Sequence, residues 1–185
     1  MHINTKIMYI MKRKLFFPII MLFASMIVFS SCTKDEDTEE TPDNTLTEYI
    51  ADNNSFANFR SFTKVAENNG PDPALGMAHS GNDSTVTRYI YFKDDASVSN
   101  GQYPIGTIIV KESKNTSGSV AEVTAMVKRG NNFDSGGNNW EYFMLETDGK
   151  IAMDGSGMAM RGASLMGGMC NSCHSNAAID YIFSK

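Results

Sequence analysis

Tyr103-Pro104-Ile105-Gly106-Thr107-Ile108-Ile109-Val110-Lys111-Glu112 reads as a turn feeding a strand. Proline and glycine punctuate the first four residues, and an unbroken β-branched run from Thr107 to Val110 favours an extended chain. Segments on either side repeat the pattern. Thr85–Lys93 alternates around β-branched and aromatic residues, Ser119–Lys128 and Trp140–Glu146 follow, and Asp148-Gly149 turns the last of these into a short strand at Lys150–Met153. The connections are too short for crossover helices, so the strands are expected to pair as an antiparallel meander of about five. Period-two alternation places Lys111 on one face with Thr107 and Ile109.

Upstream, Thr45–Asn69 reads as helical. Leu46, Tyr49 and Ile50 form one apolar cluster, and Phe56, Phe59, Phe62 and Val65 form another at near-helical spacing. Ser55 is the expected N-cap of the second piece, with Asn53-Asn54 breaking the two apart. Residues 69–84 are rich in Gly, Pro, Asn and Asp and read as a loop. Downstream, Asp154–Gly168 is a Met-rich loop of small residues. The expected class is α+β: N-terminal helices packed on an antiparallel β-sheet, with a reactive motif at the C-terminal end.

That motif is Cys170-Asn171-Ser172-Cys173-His174. C-x-x-C-H is the pattern of covalent haem c attachment: each thiol adds across one vinyl group, and the adjacent imidazole falls under the iron as its proximal ligand. A redox C-x-x-C is disfavoured because no strand-helix-strand pattern surrounds the motif, and a zinc site needs more ligands than the one remaining cysteine offers. His79 is the only other histidine past the N-terminal segment. Bis-histidine ligation would need it, but in a polar loop a solvated histidine is expected. Met153, Met158, Met160, Met166 and Met169 crowd the stretch before the motif. Packing is their commoner role, although one of them as a distal ligand would give a low-spin electron carrier. A five-coordinate iron, open to a small ligand, is the expected resting state.

Residues 1–32 read as an export signal. Lys6, Lys12, Arg13 and Lys14 form the basic start, and Leu15–Phe29 is an apolar stretch too short to span a bilayer comfortably. Small residues before Cys32 resemble a lipoprotein cleavage site, so lipidation at Cys32 is expected, with anchoring in the outer membrane facing the periplasm or the cell surface. Residues 33–44 are an acidic tether without large apolar side chains, and residues 45–185 form one domain with a core. Loss of residues 1–31 removes four basic residues and no acid, taking the formal net charge from −5 to about −9. This argues against nucleic acid as a partner and permits a basic redox partner protein.

Arg88-Tyr89-Ile90-Tyr91-Phe92, the Tyr103–Glu112 segment, Trp140-Glu141-Tyr142-Phe143, the C-x-x-C-H motif and Asp180-Tyr181-Ile182-Phe183-Ser184 together resemble the cytochrome P-460 family and the related c′-beta cytochromes. The resemblance implies an antiparallel sheet packed on helices, one haem c per subunit and a homodimer. Enzymatic members oxidise hydroxylamine to nitrogen oxides and carry a strand lysine cross-linked to the porphyrin edge, and Lys111 stands at that place. In c′-beta members the link is absent and the haem binds nitric oxide or carbon monoxide. Glu141 falls where some active members carry a distal carboxylate, which would accept a proton from the substrate. Arg88 resembles a family arginine on the distal or haem-edge side. Three readings follow: a hydroxylamine or nitrogen-oxide oxidoreductase, a gas-binding cytochrome, and a low-spin electron carrier.

Overall fold

A computed structural model describes residues 47–183. The export signal, Cys32 and the tether lie outside the described residues. Among those described, no helix is long and apolar enough to cross a membrane.

Six strands form one antiparallel sheet in chain order: β1 (Thr63–Asn69), β2 (Val86–Phe92), β3 (Ile108–Asn115), β4 (Val120–Lys128), β5 (Trp140–Leu145) and β6 (Arg161–Gly162). The meander follows from the short connections. The four central expected strands are present with small shifts at their ends. Lys150–Met153 makes only isolated bridges, Leu145 with Ile151 and Met153 with Ala159, and the sixth place in the sheet goes to Arg161–Gly162.

The expected N-terminal helices are absent among the described residues. Asn53–Phe56 and Phe59–Ser61 are single 3₁₀ turns, and Thr63–Asn69 is strand. Phe56 and Phe59 are three residues apart, a spacing that one 3₁₀ period satisfies as well as an α-helix does. Asn58 in the left-handed region (φ 56°) separates the two turns. Asp52, rather than Ser55, caps the first turn, and Ser55 closes a reciprocal capping box with it. The one α-helix among the described residues, α1 (Met169–His174), carries the C-x-x-C-H motif.

Alternation gives the sheet two faces with different duties. Register pairs Ile90 with Lys111, Lys111 with Thr124, Thr124 with Met144, and Met126 with Tyr142. These residues share the front face, whose core holds Ile90, Phe92, Tyr103, Ile109, Met126, Trp140 and Tyr142, with Cys170, Tyr181 and Ile182 packed against it. The back face buries Tyr91, Val110, Val123, Ala125, Phe143 and Leu145 against Phe56 and Phe59.

The C-terminal segment reaches the sheet through one buried carboxylate. Asp180 Oδ1 and Oδ2 accept from Lys128 Nζ at 2.8 and 3.1 Å. Oδ1 also accepts from Trp140 Nε1 (3.1 Å) and from the Asn138 amide, and Oδ2 accepts from the Tyr103 backbone N–H (2.6 Å). The side chains of Lys128 and Asp180 are 4% and 0% exposed. Removing one partner of such a pair strands the other charge out of water, at about 3–5 kcal/mol. Asp180→Ala is therefore expected to lose stability on that scale in denaturant melts. Lys128→Met is expected to lose less, because Asp180 keeps three donors. Equal losses would mean that the carboxylate is not the hub.

Candidate functional site

The six-residue α1 helix follows Gly168, a left-handed residue (φ 83°) that redirects the chain out of the preceding loop. Spacing of three puts Cys170 and Cys173 on the same side of one helical turn, with His174 at the position four after Cys170. All three line a cavity of about 400 Å³ on the front face of the sheet. Ile90, Ile109, Met126, Tyr142 and Leu165 form apolar parts of its wall, and Met77, Met166, Met169 and Phe183, all more than half exposed, stand around it. Exposed apolar side chains in such number mark a surface built to meet a large apolar group.

His174 is held as a metal ligand would be. Its Nδ1 lies 2.8 Å from the Tyr181 carbonyl oxygen, which can only accept, so Nδ1 carries the proton and Nε2 keeps a free lone pair. Burial pushes the imidazole down to about 4, against the upward pull of the Tyr181 carbonyl, so the ring is neutral at physiological pH. Burial likewise raises the Cys170 thiol. It also holds the Tyr142 phenol above its usual range, with Cys170 adding to the effect. The donor set, two thiols and one neutral imidazole facing an apolar cavity, fits a porphyrin attached through two thioethers.

Lys111 opens into the same cavity from β3. Burial, and after it the Arg88 guanidinium, push its amine down to about 8. Roughly a tenth of this lysine is then an uncharged nucleophile at pH 7, far more than of a solvated lysine. Glu122 and Thr124, on β4, line the same wall.

Two expected site residues are elsewhere. Glu141 does not reach the cavity: it pairs with Val127 in the register and so faces the back of the sheet. There its carboxylate, 2% exposed, accepts from Arg161 Nε (2.7 Å) and Nη2 (2.9 Å), with Arg129 Nη1 at 3.5 Å. Trp140 and Tyr142 take the front positions of β5, and parity leaves Glu141 behind. Arg88 is on the front side but does not line the cavity. Its guanidinium is spent on the carbonyls of Gly70 (2.5 Å) and Ser80 (3.4 Å), tying down the 70–81 loop.

Two residues gained the site that the sequence did not assign to it. His79, expected in solvent, lines the cavity, its ring centre 6.3 Å from that of His174. Glu122 is the carboxylate in the wall. Of the five loop methionines, Met166 and Met169 line the cavity, and Met153, Met158 and Met160 do not.

Glu141→Gln is expected to lose on the order of 2–3 kcal/mol through its weakened charged hydrogen bonds, while ligand affinity at the cavity stays at the parent value. A titration of the variant with a small ligand checks this, and weakened ligand binding at unchanged stability would return Glu141 to the site.

The family model for Cytochrome P460 matches residues 57–184, from just before the second 3₁₀ turn to the C-terminal segment. No curated protein matches the chain.

Proposed function

The chain belongs to the cytochrome P460 family, whose cofactor is haem c, and we propose that it is a mono-haem oxidoreductase acting on hydroxylamine or a related small nitrogen oxide. The observation that carries this reading is Lys111: an amine pushed down to about 8, in the same cavity as Cys170, Cys173 and His174. Bound haem c supplies an iron that exchanges electrons one at a time with whatever occupies the cavity.

The chain's residues divide the remaining work. Cys170 and Cys173 form the thioethers, and His174 offers Nε2 because Tyr181 occupies Nδ1. Lys111 would offer its amine nitrogen to the porphyrin edge. Such a link, made in place of a C–H, would release two protons and two electrons and so would call on an oxidant of the peroxide class. The apolar wall of Ile90, Ile109 and Met126 keeps bulk water back and favours small, weakly charged ligands. Oxidising hydroxylamine to nitrogen oxides releases protons and electrons in equal number. The electrons leave to a redox partner protein, and Glu122 is the wall carboxylate that can accept a proton from the substrate. Attachment to the outer membrane through a lipidated Cys32 would put this chemistry outside the cytoplasm, where c-type haem is completed.

Protein matured with its haem is expected to yield, on proteolysis, a haem peptide that also contains Lys111. Lys111→Ala is expected to retain haem on Cys170 and Cys173 and to lose hydroxylamine oxidation by roughly a hundredfold or more. Mass spectrometry and a turnover assay with an artificial acceptor read both. Full turnover in the variant would overturn the Lys111 role, and a chain that matures without bound haem would overturn the reading as a whole.

A further inference from the structure

His79 is brought to the cavity by a strained loop that is tied down at several points. Its backbone is in the left-handed region (φ 50°, ψ 35°), as is that of Ser80 (φ 54°). For residues with a side chain this costs on the order of 1–2 kcal/mol each. The conformation is held from three sides. Ser113 Oγ donates to the His79 carbonyl (3.3 Å), Arg88 donates to the Ser80 carbonyl, and the Asp72 N–H donates to Gly81 O (2.7 Å). Gly81 is required here, because a Cβ would meet Leu75 Cβ at 2.5 Å. Strain maintained by this many anchors points to a function for the side chain it presents.

The ring is oriented as that of His174 is. His79 Nδ1 stands 3.4 Å from Thr124 Oγ1 and 3.6 Å from Glu122 Oε2. The Glu122 oxygen is buried and has no hydrogen-bond partner among the described residues. A carboxylate behind Nδ1 is the usual support of a metal-bound imidazole. In both histidines, then, an oxygen of the protein faces Nδ1, and Nε2 is the nitrogen available to a metal.

The separation decides between two roles. Metal–imidazole bonds of about 2.0 Å on opposite sides of one metal put the two ring centres roughly 6 Å apart. A histidine serving instead as an acid–base group over a bound substrate needs room for that substrate and a hydrogen bond, which pushes the ring centres to roughly 9 Å. The observed distance is 6.3 Å, with the ring planes at 89°. We propose that His79 is the second axial ligand of the haem iron, opposite His174, and that a small ligand enters only by displacing it. The resting protein is then six-coordinate and low-spin, and Glu122 is a positioning residue acting through His79. This inference rests on haem being held by Cys170, Cys173 and His174.

The test uses the mature haem-containing protein. A pyridine haemochrome assay first reports covalent haem. With haem present, the ferric absorption and electron paramagnetic resonance spectra are expected to be low-spin. His79→Ala is expected to turn them high-spin, and added imidazole to return them to low-spin. Cyanide is the kinetic probe. Its binding rate is expected to level off with concentration in the parent protein, because His79 must leave first. In His79→Ala the rate is expected to rise linearly and to be roughly tenfold or more faster at high cyanide. Should His79→Ala fail to mature, the parent spectrum and cyanide plateau still decide, and Glu122→Gln adds a midpoint potential. Loss of the carboxylate behind Nδ1 is expected to raise that potential. A high-spin parent protein, a rate linear in cyanide for the parent, or a low-spin His79→Ala without added ligand would each overturn the assignment while leaving haem attachment intact. Absence of the haemochrome would instead sink the attachment on which it stands.

Discussion

A carboxylate buried without exposure is tolerable only if its surroundings replace the water it has lost. Asp180 meets that condition by drawing donors from three parts of the chain: Tyr103 before β3, Lys128 at the end of β4, and Asn138 and Trp140 at the start of β5. The consequence for the site is immediate. Asp180 and Tyr181 are both held in the left-handed region, at φ 43° and 66°, a cost that these bonds offset. The carbonyl of Tyr181 fixes the proton on His174 Nδ1. Orientation of the ring that presents Nε2 to the cavity is thus one peptide unit away from the ion pair that anchors the C-terminus. The Tyr181 hydroxyl adds a second tie by donating to Gly136 O at 2.8 Å.

The same sheet separates charges of opposite function by parity alone. Lys111 and Glu112 are neighbours in sequence and lie on opposite faces. Glu112 is buried on the back, where Arg60 Nε donates at 2.9 Å and Lys114 Nζ stands at 3.0 Å. Lys111 enters the front cavity, where Arg88 adds a like charge and no salt bridge among the described residues includes it. One buried charge is therefore paired and structural, and the other is desolvated and chemically available. Glu141 belongs to the first kind. With Arg161 it joins β5 to β6, and Arg161 Nη1 carries the link on to the Ala51 carbonyl in the N-terminal segment.

Strands whose apolar and β-branched residues alternate were legible in the sequence, because local periodicity and sheet burial agree there. Alternation grouped Lys111 with Thr107 and Ile109, but Ile108 and Val110 are as apolar as Ile109, so the pattern left open which face holds the cavity. Position Glu141 was not legible in the same way. It is flanked by Trp140, Tyr142 and Phe143, all of them bulky enough for either face, so local pattern leaves its parity undetermined. The N-terminal segment misled because three-residue phenylalanine spacing satisfies both kinds of helical turn. Nothing in the short tail around Asp180 declares its partners, and His79 looked like a solvated histidine in a polar loop. Their environments are made by residues up to 77 and 95 positions away in the chain, and no local pattern reports contacts of that range.

Those long-range contacts place the two halves of the site on elements of very different rigidity. His174 belongs to a helix clamped by a buried ion pair and by the front-face core. His79 belongs to a loop tied to the sheet by side chain–to–backbone bonds, Arg88 to Gly70 and Ser80 and Ser113 to His79 itself, and closed by the backbone bond from Asp72 N–H to Gly81 O. Each such bond contributes on the order of 1 kcal/mol, somewhat more where the donor is charged, and the left-handed strain at His79 and Ser80 opposes them. Under the proposed ligation by His79, that opposition sets the cost of freeing the distal side of the iron, while the proximal side stays fixed. Whether the protein would only pass electrons or also admit a reactant would then be governed by the loop before β2. The sheet and the C-x-x-C-H helix serve both outcomes equally well.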